Sequence, residues 1–324
     1  MSYYLGIDGG GTKTTCAVGD ETHLLAAATT GASNIIRVGE VQARESLLQS
    51  VRQACAAAGI TPAQISRTCV GGSGAARPEL AATVRNILAE VISTPIDVVG
   101  DMQTSLEAAF DTGAGVIVIA GTGSVAYGRD RQGRTARAGG WGFAIGDEGS
   151  AHWIGRTAVG AVLHASDLAG ATPETRAFSS FAAALFKAWG VTSLDELARA
   201  ANSIPPPDFA ALLPAVATCS DDLAIQTLTN AGRELAQVAA IVIQRLFARD
   251  HTPSVPVAMI GGVFRYAPLV RQVFYNELRT LDARVEVNPQ VVDPVDGALR
   301  MARRACGTNA PGSAEQRLKS GGML

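Results

Sequence analysis

Three consecutive glycines follow a short apolar run in Asp8-Gly9-Gly10-Gly11-Thr12. Without Cβ atoms in the way, backbone N–H groups can approach a phosphate there, and Thr12 adds a hydroxyl donor at the edge of the same concavity. Asp8 ends the preceding strand at that pocket. A carboxylate beside a phosphate cradle is repulsive unless a cation lies between them, so Asp8 is expected to partner Mg²⁺, directly or through water. Lys13 is read either as a solvated residue or as one near phosphate. A glycine hairpin without a ligand is the plain alternative. Residues 6–13 nearly match the P-loop pattern G-x-x-x-x-G-K-[ST], but Thr12 displaces the lysine by one position. A P-loop also opens a helix, whereas Thr14, Thr15, Cys16, Ala17 and Val18 continue as a strand.

These residues need a frame. Residues 3–19 read as strand, glycine turn and strand, and the chain returns through Leu24-Leu25-Ala26. The apolar period predicts a helix over 39–58, stopped by Gly59. A buried strand over 65–71 ends in Gly72-Ser73-Gly74, a helix follows over 78–92, and a strand over 96–100 delivers Asp101 at its carboxyl end. Strands alternating with helices imply a largely parallel sheet whose ligands gather outside the strands' carboxyl ends, which puts Asn34, Ser73 and Asp101 on one rim. Around Asp111 the opening repeats: apolar strand 116–120, the turn Gly121-Thr122-Gly123-Ser124, strand 125–128 and a polar hairpin end at 129–133. Two copies of one module predict a duplicated α/β fold with a cleft between its halves, each glycine turn facing a phosphate from its own side. The expected domains are 1–111 with 294–306, and 112–293. Helices are predicted over 151–166, 173–189, 193–203, 209–218 and 221–249. A strand over 255–260 is closed by Gly261-Gly262, a last strand covers 285–288, a helix runs from Asp296 to about Cys306, and 307–324 is expected to be disordered.

At 324 residues the chain is long for one core. Hydrophobic residues make up 47% and charged residues 17%, the balance of a compact globular chain, and a net charge of −2 with no basic run beyond Arg303-Arg304 argues against nucleic acid. The five cysteines, at 16, 55, 69, 219 and 306, form no C-x-x-C pair and suit a reducing cytoplasm. A strand entered by residue 3 leaves no room for a signal peptide, and no apolar run reaches spanning length.

The opening Asp-Gly-Gly-Gly-Thr, the turn Gly-Thr-Gly-Ser at 121–124 and the late Gly261-Gly262 before a helix together resemble the nucleotide-facing elements of the actin, Hsp70 and sugar-kinase fold. The block Gly139-Gly140-Trp141-Gly142-Phe143-Ala144-Ile145-Gly146-Asp147-Glu148-Gly149-Ser150-Ala151 narrows the resemblance to the N-acetylglucosamine and glucosamine kinases of the BadF/BadG/BcrA/BcrD group, over about residues 3–305. The resemblance implies a duplicated ribonuclease-H-like fold and an ATP-dependent hexosamine kinase. It places Gly10, Gly11, Thr12, Gly121, Thr122 and Gly123 at ATP phosphates and Gly261 and Gly262 by the adenosine. Asn34, Ser73, Gly74, Gly140, Trp141 and Asp147 then line the site of the amino sugar, and Asp101 is the base.

Chemistry agrees independently: a hydroxyl attacking a γ-phosphoryl group needs in-line positioning, charge neutralisation and a proton acceptor, and Asp101 at its strand end is the best placed acceptor. Its plain alternative is capping the following helix. Asp147 and Glu148 could likewise cap a helix, Trp141 could be core, and His152 and Trp153 read as structural. Because the glycine turns and the Asp147 loop read as separate elements, loss of Asp147 is expected to spare ATP affinity. The same group contains activator ATPases that hold a [4Fe–4S] cluster through paired cysteines and lack the sugar block; Cys55, Cys69 and Cys219 show no glycine-flanked pair. That argues against a cluster, and a non-catalytic ATP-dependent activator or switch of a partner enzyme, as some proteins of this fold are, is kept as the second hypothesis. Which amino sugar is used, and whether the chain is a homodimer, stay open.

Overall fold

The computed structural model describes residues 1–75, 77–168, 180–249 and 252–307. Pro173, where a helix start is predicted, His251 and the tail after Gly307 lie outside that set. The chain divides into two compact units, Met1–Thr104 with the chain from Val295 onward, and Ser105–Pro294.

The first unit opens with β1 (Tyr3–Gly9), β2 (Thr14–Gly19) and β3 (Leu24–Thr30), followed by α1 (Ile35–Ala57), β4 (Ile65–Gly72), α2 (Pro78–Ala89) and β5 (Ile96–Gly100). Its sheet has the order β3-β2-β1-β4-β5, antiparallel across β1, β2 and β3 and parallel from β1 to β4 to β5. Strand period 2 sends Leu5 and Ile7 of β1 to a core shared with Leu47, Val51 and Leu88. Helix α3 (Asp101–Phe110) carries the chain across the boundary between the units. α1 begins earlier than the predicted 39: Asn34 caps it by accepting the Ile36 N–H at 3.1 Å, and Gly39, at φ 77°, breaks it after one turn.

The second unit holds β6 (Gly115–Ala120), β7 (Ser124–Arg129), β8 (Thr135–Gly139), α4 (Ala151–Leu168), α5 (Ser180–Trp189), α6 (Leu194–Ala201), α7 (Leu213–Ala217), α8 (Asp222–Phe247), β9 (Val255–Ile260), α9 (Gly262–Tyr266), α10 (Pro268–Leu281) and β10 (Val285–Val292). Its sheet order, β10-β9-β6-β7-β8, matches that of the first unit strand for strand, so the predicted ribonuclease-H-like module is present twice. β8 was not expected from the sequence. β10 runs four residues past the predicted end and passes through Pro289, which an edge strand tolerates. Among the described residues no helix is long and apolar enough to cross a membrane.

Helix α11 (Pro294–Gly307) returns the chain to the first unit, where Val295, Leu299 and Ala302 pack on Tyr4, Ala17 and Cys69, the opposite side of β1 from Leu5 and Ile7. The approach is close enough that a Cβ on Gly6 would lie 2.4 Å from the Leu299 nitrogen. Gly6→Ala should therefore force α11 off the sheet and cost about 1 to 3 kcal/mol, the usual scale of overpacking. Thermal unfolding checks this; a melting temperature equal to that of the parent would contradict it.

Candidate active site

Strand register builds the rim of the first unit. Gly9 of β1 pairs with Gly72 of β4, and Gly72 with Gly100 of β5, so the residues that follow, Gly10, Ser73 and Asp101, leave three adjacent parallel strands side by side. Hydrogen bonds tie this edge together: Ser73 N–H donates to Gly9 O at 3.1 Å, and the N–H groups of Ser33 and Asn34 donate to Gly10 O at 3.1 and 3.2 Å. Asn34, Ser73 and Asp101 thus all hang from the Gly9-Gly10 end of β1 or its neighbours. Asn34 uses its carbonyl oxygen as the α1 cap, and Ile36, 59% exposed, brings its Cδ1 to 3.2 Å from where a Cβ on Gly74 would stand.

Asp101 is the first residue of α3. Burial holds its carboxyl above the ordinary carboxylate range, against the pull of hydrogen bonds from the Met102 N–H and the Ser73 hydroxyl. The Met102 bond is 2.9 Å long. That contact is to the N–H of the next residue, at the start of α3. Asp8, on β1 one residue before Gly9, is partly buried. The turn after it closes with Gly10 N–H donating to Lys13 O at 3.0 Å, leaving Thr12 and Lys13 exposed.

The second unit repeats the arrangement. Ile119 of β6 pairs with Ile260 of β9, so Gly121 and Gly261 emerge next to each other. Gly261 sits at φ 103°, and a Cβ there would lie 2.4 Å from Ala120 O, so only glycine lets β9 turn this close to β6. Gly262 starts α9, with the Tyr266 ring against it. The turn of residues 121–124 is closed by Gly121 N–H to Gly123 O at 2.9 Å. The N–H groups of Gly11, in the first unit, and of Gly123, in the second, have no acceptor among the described residues, and each is a donor that suits a phosphate oxygen.

At the end of β8 the chain turns through Gly139 and Gly140, both at positive φ, into the loop that carries Trp141. Trp141 is 69% exposed, not core, and the Arg137 guanidinium lies 4.7 Å from its ring centroid. Arg137 was missed by sequence reasoning, since it lies on the unexpected strand β8 and belongs to no motif. Asp147 is only 9% exposed, and its carboxylate accepts the Gly142 N–H at 3.1 Å and the Ser124 N–H. Burial raises its pKa, with Glu148 adding to the rise and the Gly142 bond opposing it. A Cβ on Gly123 would stand 2.6 Å from Asp147 Oδ2. The glycine turn and the Asp147 loop are thus in direct contact, which corrects the expectation that they are separate elements. His152 packs between Phe143 and Phe209, ring centroids 5.0 and 5.2 Å away.

The N-acetylmuramic acid/N-acetylglucosamine kinase of Clostridium acetobutylicum is 36% identical over 172 residues, 52% of this chain and 56% of that protein, so the chain matches little more than half of that relative. The N-acetyl-D-glucosamine kinase of Dictyostelium discoideum is 27% identical over 92% of this chain and 97% of its own length. The crystal structure of a proposed N-acetylglucosamine kinase from Chromobacterium violaceum superposes with a TM-score of 0.65 at 25% identity, covering 93% of this chain and 99% of the other. The sequence pattern that defines the BadF/BadG/BcrA/BcrD ATPase family matches residues 5–302, nearly the whole length, and the chain belongs to that family.

Proposed function

We propose that the chain transfers the γ-phosphoryl group of ATP to a hydroxyl of an amino sugar, N-acetylglucosamine or glucosamine, at O6. The observation that carries this is Asp101: a half-buried carboxylate at the carboxyl end of β5, hydrogen-bonded to Ser73, with only β4 between it and the end of β1 where Gly10 follows. Family membership and two relatives named for N-acetylglucosamine phosphorylation support it.

In this reading Asp101 takes the proton of the sugar hydroxyl as its oxygen attacks the γ-phosphorus, the bond to the bridging oxygen breaks, and ADP leaves. Gly10, Gly11, Thr12, Lys13, Gly121, Thr122 and Gly123 receive phosphate oxygens; Gly261 and Gly262 take the adenosine. Asn34, Ser73, Gly74, Gly140, Trp141 and Asp147 receive the sugar, Trp141 as a platform whose orientation Arg137 supports. Asp8 would hold Mg²⁺, which neutralises phosphate charge when bound. No group of three His, Cys, Asp or Glu side chains among the described residues could hold a metal alone, and one carboxylate near the Gly11 N–H fits Mg²⁺, an ion that keeps waters and takes ligands from the nucleotide.

A coupled ADP-release assay across a panel of sugars tests the reading, with the phosphorylated carbon assigned by NMR. N-acetylglucosamine or glucosamine should stimulate ADP release well above the sugar-free rate. Sugar-independent hydrolysis across the whole panel would overturn the kinase reading in favour of an ATP-dependent switch. Trp141→Ala should raise KM for the sugar by roughly tenfold, the scale of one lost apolar platform, with KM for ATP unchanged.

A further inference from the structure

We infer that Ser124 and Asp147 form a clasp that makes the turn of residues 121–124 and the loop of residues 140–148 one mechanical element, so that nucleotide and amino sugar bind with coupled affinities. The inference rests on the functional reading above for what each segment holds. The joining contacts lie wholly within the second unit. Ser124 donates its hydroxyl to Glu148 O at 2.7 Å and its N–H to the Asp147 carboxylate. Ala151 N–H donates to Gly121 O at 2.8 Å, and Ser150 N–H to Asp147 O at 3.1 Å. On its other side the Asp147 carboxylate accepts the Gly142 N–H, next to Trp141.

Ser124 is 6% exposed and Ser150 is fully buried, so these bonds are shielded from water. Asp147 itself has positive φ, 60°, a conformation that a non-glycine residue keeps only where its surroundings hold it. A packed element of this kind moves as a body and does not bend at one end alone. Ordering the loop with sugar therefore orders the turn, and the nucleotide that binds second has less freedom left to remove. Two of the carboxylate's four lone-pair positions are occupied by N–H donors, which leaves acceptor capacity for a ligand hydroxyl without releasing the clasp. Ser124 thereby becomes a positioning residue, acting through Asp147 and Glu148 rather than on the reacting atoms.

Calorimetric titration of the full chain with a non-hydrolysable ATP analogue and Mg²⁺, with and without saturating N-acetylglucosamine, measures the coupling. In the parent, sugar should tighten the analogue by about 5- to 100-fold, and the analogue should tighten sugar by the same factor. Ser124→Ala should still bind each ligand alone but lose at least threefold of that factor. As a second readout, hydrogen exchange of the segment containing 121–124 in the parent should slow on addition of sugar alone, and this slowing should be absent in Ser124→Ala. Full coupling in a folded Ser124→Ala, no coupling in the parent, or exchange in this segment indifferent to sugar would each overturn the clasp. A parent that binds nucleotide but no amino sugar would overturn the kinase reading and this inference with it, an outcome separate from sugar binding without coupling.

Discussion

Replacing Asp101 by Asn should lower kcat by roughly 10²- to 10⁴-fold, the usual worth of a general base, while the affinity for an ATP analogue stays nearly unchanged. The same substitution should leave the protein at least as stable at neutral pH. Burial raises the Asp101 pKa in the folded chain, so the native state binds that proton more tightly than the unfolded chain does. The ionised carboxylate therefore opposes folding at pH values above its folded pKa, and the penalty fades as pH falls towards the ordinary carboxylate value. Asn removes the charge and keeps an oxygen to accept one of the two donors, the Met102 N–H or the Ser73 hydroxyl. A melting temperature at pH 7 equal to or above that of the parent, together with collapsed turnover, separates loss of a base from loss of the fold. The acid limb of the parent's kcat/KM profile should sit above the normal aspartate range, and it should vanish from the residual activity of the variant. Parent-like turnover in Asp101→Asn would remove this residue from the mechanism.

What the sequence made legible was whatever local chemistry writes in one stretch. Each glycine turn follows an apolar run, so 8–12, 72–74, 121–124 and 261–262 all announced strand ends; of the expected rim of Asn34, Ser73 and Asp101, the register sets Ser73 and Asp101 at adjacent strand ends, and Asn34 joins them through its N–H to Gly10 O. The repeat of the strand, glycine turn, strand module was visible for the same reason, while the order of strands in each sheet comes from the structure. Strand β8 was not, because Thr-Ala-Arg-Ala-Gly is five residues of weak alternation whose strand state comes from pairing with β7. The start of α1 was misjudged because the turn that Asn34 caps is too short to show a period before Gly39 interrupts it. The contact of Asp147 with Gly123 and Ser124 joins residues more than twenty positions apart, and neither propensity nor spacing carries that information. The environment of Asp101 follows the same logic: its strand-end position was readable, while the burial that shifts its pKa is a product of tertiary packing.

Asp147→Ala should weaken amino-sugar binding by about 2 to 4 kcal/mol, the scale of deleting a charged partner and leaving its donors unmatched. The donors at stake are on the protein as well as on the sugar: the Gly142 and Ser124 N–H groups both point at this carboxylate. Since Gly123 rests against the same oxygens, the substitution also opens a void under the phosphate-facing turn, and nucleotide affinity should fall too, by a smaller factor than sugar affinity. Asp147→Asn serves as the control, because it retains the volume and one acceptor while presenting an NH₂ to a backbone donor, and its losses should be intermediate. The residue's positive φ predicts a third outcome, Asp147→Gly, in which relief of backbone strain offsets part of the stability loss but none of the loss in sugar binding. Calorimetry with sugar and with a non-hydrolysable ATP analogue, read beside thermal unfolding of all three variants, measures each term. Amino-sugar binding by Asp147→Ala as tight as the parent's would take this carboxylate out of sugar recognition and leave it the support of the turn alone.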